Sequence, residues 1–162
     1  MRWFWAVMLL GAGAVILSAC GRRPTYVTRY GAEVYDDYGV FNLAFANAME
    51  DAVMDNMVRL GFDRPTMEKC IADTYVDVVE KVTGADLEAC GKGCSAFTRG
   101  NHIVFDKTRN NPCMYVYAHE LQHRFLLCHG LDGDGGHTNP DLWGKGAMIE
   151  VYWNDICRGM QP

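Results

Sequence analysis

Apolar positions along the chain follow different spacings, and each spacing predicts a different element. Between residues 40 and 60 they recur every three or four positions, which predicts an amphipathic helix that ends at Gly61. β-Branched residues dominate residues 75–79, and residues 101–107 hold a second short apolar stretch, so we expect a strand in each. Residues 84–100 contain four glycines and two cysteines, and they are expected to form a loop.

The best-marked helix is expected from Pro112 to about Leu127. Asn111 can cap it, and proline is favoured at the first helical position because its missing N–H would be unpaired there anyway. Tyr117, Leu121 and Phe125 form an apolar ridge at four-residue spacing, and Gly130 is a plausible stop. A helix, two strands and a second helix in this order predict an α+β fold, with the second helix packed on a small mixed sheet.

The N-terminal segment has the composition of an export signal. Arg2 is followed by an uncharged apolar run from residue 3 to residue 17, which is shorter than the roughly 20 residues that a transmembrane helix needs. We therefore assign residues 1–19 to a signal peptide, residues 20–38, which are polar and rich in tyrosine, to a tether, and residues 39–162 to the folded domain.

Residues 17–20, Leu-Ser-Ala-Cys, resemble the lipobox of bacterial lipoproteins. The resemblance implies that Cys20 becomes the first mature residue, that it carries palmitate and other lipid chains, and that it anchors the protein to a lipid bilayer in the bacterial cell envelope. Gly21 in place of aspartate implies the outer membrane, on its periplasmic side, by the sorting rule of enterobacteria-like lipoproteins.

Charge and cysteine content narrow the class of protein further. Removal of residues 1–19 leaves fourteen basic and twenty acidic residues, a formal net charge of −6, which disfavours nucleic-acid binding. Six cysteines remain besides Cys20, and an even number in an exported chain predicts disulfides in an oxidising compartment. Their connectivity stays open among fifteen possibilities. We expect a monomer.

Residues 119–123, His-Glu-Leu-Gln-His, carry the chemistry. His119 and His123 lie four residues apart on the predicted helix, so both imidazoles leave the same face and can bind one metal ion. Zinc accepts imidazole nitrogen and, in a catalytic site, keeps one coordination position for water. Glu120 is the candidate general base, which takes a proton from water and delivers it to the leaving amine.

This pattern resembles the His-Glu-x-x-His helix of the zincin metallopeptidases. The His-Glu-x-x-His motif itself spans residues 119–123 only. It implies Zn²⁺ as cofactor, a peptide or protein substrate, and a compact zincin-like domain in which an edge strand beside the active helix holds the substrate. Residues 101–107 are the candidate for that strand, by addition of the substrate as an extra strand. The alternative is a non-enzymatic zinc-binding envelope lipoprotein, which would have no use for a base at Glu120.

The motif supplies two metal ligands, and the identity of the third has to be inferred from other residues. His129 has the spacing of the metzincin signature, but Leu126 replaces the glycine that turns the chain off the helix there, and a continuing helix would carry His129 about 9 Å along the axis from His123. His137 follows a glycine-rich loop that can fold back, and residues 136–143 resemble the Gly-His-x-x-Pro-x-x-Trp ending of small bacterial zincin-like proteins. We favour His137. His129, Glu150 and Asp141 remain alternatives.

Three other features were assigned structural roles. An EF-hand beginning at Asp132 would need an acidic or amide side chain at its fifth position and Glu at its twelfth, but residues 136 and 143 are Gly and Trp. Asp132 and Asp134 are therefore candidates for orienting a ligand histidine. His102 is expected to be a surface residue. Cys113 and Cys128 bracket the active helix, and a disulfide from either end would fix its position.

Overall fold

The computed structural model describes residues 22–84, 94–109 and 114–144 together with Cys157. Several predictions fall outside the described residues: the signal peptide, the lipobox, the helix start at Asn111-Pro112, Cys113 and the alternative ligand Glu150. Within the described ranges, no helix combines the length and the apolar character needed to cross a bilayer. The strands are β1 Tyr26–Val27, β2 Glu33–Asp36, β3 Tyr75–Val79, β4 Ala96–Arg99 and β5 His102–Asp106, and the helices are α1 Leu43–Arg59, α2 Arg64–Ala72, α3 Tyr115–Cys128 and the single turn α4 Pro140–Trp143.

The five strands form one mixed sheet in the order β1-β2-β3-β5-β4. β2, β3 and β5 are parallel, and β1 and β4 are added antiparallel at the two edges. This arrangement of helices with a small mixed sheet is the predicted α+β class. The predicted strand at residues 75–79 is confirmed, and so is a strand within residues 101–107.

The sheet corrects two expectations. The tether was predicted to reach residue 38, but β1 and β2 lie within it, and Val34 is fully buried in the core. The expected substrate strand β5 lies between β3 and β4, so it is not an edge. The edge is β4, in a segment that was expected to be loop; it turns into β5 through Gly100 and Asn101, where Gly100 has a φ of 58°.

Local sequence explains the helices that pack on this sheet. The Asn42 side chain accepts a hydrogen bond from the backbone N–H of Phe45 and caps α1. The Asp63 side chain accepts one from the backbone N–H of Thr66 and caps α2. α3 begins at Tyr115, three residues after the predicted start, behind Met114 in a left-handed conformation.

The core lies between one face of the sheet and helices α1, α2 and α3. Tyr117, Leu121 and Phe125 of α3 are fully buried, which confirms the apolar ridge, and the Tyr117 hydroxyl donates a 2.7 Å hydrogen bond to the buried Glu50 carboxylate of α1. A disulfide joins Cys70 of α2 to Cys128 at the end of α3. The active helix is therefore held by packing along its length and by a covalent link at its C-terminus.

Candidate metal centre

The two histidines of the motif leave α3 one turn apart. Their Nε2 atoms are 3.2 Å from each other. The Nδ1 of His123 lies 2.5 Å from the backbone carbonyl oxygen of Gly133, which can only accept a hydrogen bond. Nδ1 of His123 must therefore be the protonated nitrogen, and Nε2 keeps its lone pair for a metal ion.

His137 brings a third imidazole to the same point. Its Nε2 lies 3.1 Å from Nε2 of His119 and 3.1 Å from Nε2 of His123. One ion could therefore lie within the zinc–nitrogen distance of about 2.0–2.1 Å of all three nitrogens. These three histidines lie close enough together to hold a metal ion.

The other candidate ligands are not part of this cluster. α3 continues through Leu126 to Cys128, as expected without the glycine, and His129 turns away. The Nδ1 of His129 lies 2.8 Å from the carbonyl oxygen of Phe125, and its ring packs edge-on against Phe62. Asp141 is exposed on α4 and is absent from the cluster. Among the described residues, the structure therefore brings together the three histidines that we favoured.

The loop between α3 and α4 folds back over the helix. It leaves α3 at Gly130, whose φ is 70°, and both Asp134 and His137 adopt left-handed conformations, with φ of 50° and 52°. The Asp134 carboxylate accepts hydrogen bonds from the residues that follow His137. The proposed role of Asp134 beside a ligand histidine thus has a geometric basis.

Trp143 forms one wall of the cluster. Its ring centroid lies 4.5 Å from those of His123 and His137 and 5.0 Å from that of His119. Pro140 begins the helical turn that carries Trp143, and the Asn139 side chain caps this turn. The structure thus gives a reason for the Gly-His-x-x-Pro-x-x-Trp spacing: the proline starts a turn that returns the tryptophan to the histidines.

Glu120 lies next to His119 and is buried. Its Oε2 accepts a 2.8 Å hydrogen bond from the hydroxyl of Thr98 on β4, and the same hydroxyl lies 3.0 Å from the Glu120 carbonyl oxygen. Burial raises the pKa of Glu120 to about 7, and the hydrogen bond from Thr98 opposes part of this rise. The carboxyl can therefore both accept and release a proton near neutral pH.

His119 and His123 are held in the neutral form that binds metals. Burial, followed by the neighbouring His123 and His137, lowers the pKa of His119 to about 3. Burial also lowers the pKa of His123, against an opposing hydrogen bond to Gly133. A neutral imidazole can bind a metal ion without first losing a proton.

Two clefts meet at this site. The larger has a volume of about 470 Å³ and the smaller about 280 Å³, and both are lined by His119, Glu120, Cys94 and Ala96. The clefts follow β4, whose outer edge pairs with no other described strand. Thr98 of this strand is the site residue that we did not predict, because its segment was expected to be loop. The Gly100-Asn101 dipeptide, a common two-residue hairpin turn, was the available signal.

The remaining candidate residues either lie away from the histidine cluster or fall outside the residues that the structure describes. His102 is on β5, where its Nε2 lies 2.6 Å from the Asp77 carboxylate, so it is a partly exposed residue with a partner of its own. Comparison with protein-family models, with curated proteins and with solved structures found no match. The function of the protein can therefore be inferred only from the residues and geometry of the site.

Proposed function

We propose that the protein is a zinc metallopeptidase that hydrolyses peptide bonds in the bacterial cell envelope. The observation that carries the proposal is the placement of Glu120 beside three converging imidazole nitrogens, at the junction of two clefts. A site that only bound metal for structure would be closed by a fourth protein ligand and would need no carboxyl group next to it.

Zinc is the metal that fits the donor set best. Three imidazole nitrogens that converge on one point suit zinc, whereas calcium and magnesium prefer oxygen ligands. When bound, zinc would supply a Lewis acid for the scissile carbonyl and would lower the pKa of water toward 7. The residues that would hold it are His119, His123 and His137.

The protein's own residues supply the proton transfers and the orientation. An Oε atom of Glu120 takes the proton from the attacking water and passes it to the nitrogen of the leaving amine, and the pKa near 7 suits both steps. The Thr98 hydroxyl holds the other side of this carboxyl group. Trp143 shields the histidines from solvent on one side.

The edge strand β4 is the surface on which the substrate would lie. An extended peptide can pair with the free backbone groups of a sheet edge, while its side chains enter clefts on either side. β4 is an edge among the described strands, its Thr98 contacts Glu120, and its Ala96 lines the two clefts. This reassigns to β4 the role that we first expected for residues 101–107.

The test of hydrolysis is Glu120→Gln in the purified mature protein with its disulfides intact. We expect full zinc binding and a loss of peptide-library cleavage by about 10²–10⁴-fold, because the general base is gone and the ligands remain. Glu80→Gln is the matched control, since Glu80 is an exposed partner of Lys107 and lines neither cleft. If the wild type bound stoichiometric zinc but cleaved no peptide, the non-enzymatic zinc-binding lipoprotein would be favoured. If the wild type bound no zinc, the proposed metal centre would be refuted.

We also propose that Cys20 anchors the protein to the envelope membrane. The support is the match of residues 17–20 to the lipobox. Cys20→Ser should move the protein from the membrane fraction to the soluble fraction and remove the mass of the lipid chains from the N-terminal peptide. An unchanged distribution and mass would contradict the anchor.

A further inference from the structure

We propose that Asp134 is the positioning residue of the metal centre: its carboxylate holds the loop in the conformation in which His137 reaches the two histidines of α3. This inference rests on the proposed metal centre. It concerns how an exposed loop delivers one of the three ligands, which the motif on α3 does not explain.

The Asp134 carboxylate accepts four hydrogen bonds, two on each oxygen. Oδ1 accepts from the backbone N–H of Thr138 at 2.8 Å and from its hydroxyl at 2.7 Å. Oδ2 accepts from the backbone N–H of Asn139 at 2.9 Å and from the indole Nε1–H of Trp143 at 2.7 Å. The carboxylate therefore binds the chain immediately after His137 and the ring that packs on it.

The backbone on the other side of His137 is held by the same residue. The N–H of His137 donates a 2.8 Å hydrogen bond to the carbonyl oxygen of Asp134. The backbone around His137 thus forms a tight turn in which Asp134 accepts hydrogen bonds on both sides of His137, through its carbonyl oxygen and through its carboxylate. Left-handed conformations at both residues are unfavourable without glycine, and they persist where surrounding contacts determine them.

The turn also bears on a second ligand. Gly133, the residue before Asp134, provides the carbonyl oxygen that accepts from Nδ1 of His123. A loop that lost its Asp134 contacts would release His137 directly and would free the group that orients His123. Two of the three ligands therefore depend on one carboxylate.

Only a carboxylate can satisfy this arrangement. All four partners of Asp134 are donors, and they divide evenly between its two oxygens. Asparagine offers one acceptor oxygen, so its NH₂ group would face two N–H or O–H donors. These hydrogen bonds also lower the pKa of Asp134, led by those from the backbone of Thr138 and Asn139, which keeps the group ionised.

The experiment measures zinc affinity by chelator competition in the full chain, purified in detergent with its disulfides intact. We expect Asp134→Asn to bind zinc about 10–100-fold more weakly than wild type. Asp141→Asn is the matched control, with the same change of charge on the neighbouring turn α4, and should bind zinc as the wild type does. Equal affinity of Asp134→Asn and wild type would overturn the inference.

A double-mutant cycle with His137→Ala separates positioning from a general effect on folding. If Asp134 acts through His137, Asp134→Asn should cost clearly less affinity once His137 is absent, and only the part that acts through Gly133 and His123 should remain. The same loss in both backgrounds would overturn the inference. Cobalt(II) absorption gives a second readout, because Asp134→Asn should shift the spectrum toward that of His137→Ala.

Thr138→Val provides a gentler test if Asp134→Asn folds poorly. It removes the hydroxyl donor to Oδ1 and leaves the backbone donor, so we expect a smaller loss of zinc affinity that again becomes smaller in the His137→Ala background. Wild type that binds no zinc would instead refute the proposed metal centre itself, whereas wild-type affinity in Asp134→Asn and Thr138→Val, with weaker binding by His137→Ala, would refute only the role of Asp134.

Discussion

The three candidate ligands reach one point from two regions of opposite character. α3, which carries His119 and His123, is buried along its apolar ridge and is tied to α2 by a disulfide. The loop at residues 130–139, which carries His137, is largely exposed and is held by hydrogen bonds to Asp134. The helix is placed by non-directional burial, and the loop by directed polar contacts, so the centre depends on two different kinds of interaction.

The largest expected difference between the regions is in core truncation. Phe125→Ala should lower the free energy of unfolding by about 3–5 kcal/mol, because it leaves a cavity beneath the active helix. Leu131→Ala is the matched loop variant; Leu131 is 51% exposed, and its loss should change stability by less than about 0.5 kcal/mol. Urea unfolding measures both, and equal effects would contradict the distinction.

The disulfide should contribute nearly as much. Replacing Cys70 and Cys128 together by alanine should lower the free energy of unfolding by about 2–4 kcal/mol, because the link closes a long stretch of chain in the unfolded state. Unfolding is measured under non-reducing conditions, since Cys94 and Cys157 are disulfide-bonded as well. If stability and zinc affinity were both unchanged, the disulfide would have no part in fixing α3.

Metal removal should affect the two regions unequally. Zinc at about 100 times its Kd stabilises the folded state by about 2.7 kcal/mol. In hydrogen exchange after chelation, residues 130–139 should lose protection while α3 keeps most of it, since the core holds the helix without metal. The amides of β3 serve as an internal control. Equal loss in loop and helix would show that the helix also needs the metal.

The smallest effect is expected from Glu50, beneath the helix. Burial raises its pKa above the usual 4.5, so the folded protein keeps this proton at a pH where the unfolded chain has released it. Stability should therefore fall as pH rises from about 4.5 through the raised pKa, and the Glu50→Gln variant should lack this loss. The difference between the two pH profiles isolates Glu50, because Glu120 and the histidines titrate in both. Parallel profiles would contradict the assignment.

Prediction from the sequence succeeded where the signal was local. The helix at residues 43–59 and the strand at 75–79 follow from apolar spacing within each segment. The prediction that residues 20–38 form a tether was wrong, because this polar, tyrosine-rich segment contains two short strands. Their structure is decided by pairing within the sheet, β1 with β2 and β2 with β3, rather than by local propensity. β4 was missed for the same reason, and the edge strand was therefore placed one strand too far inward.

The site divides in the same way. That His119, Glu120 and His123 share one helical neighbourhood could be read from their spacing alone, because helical geometry is set by local backbone dihedrals. Only the tertiary structure decided that His137 joins them, that Thr98 binds Glu120 and that Trp143 closes one side. Those contacts join segments far apart in the chain, and their geometry comes from sheet order, core packing and the hydrogen bonds of Asp134, none of which has a fixed spacing in the sequence.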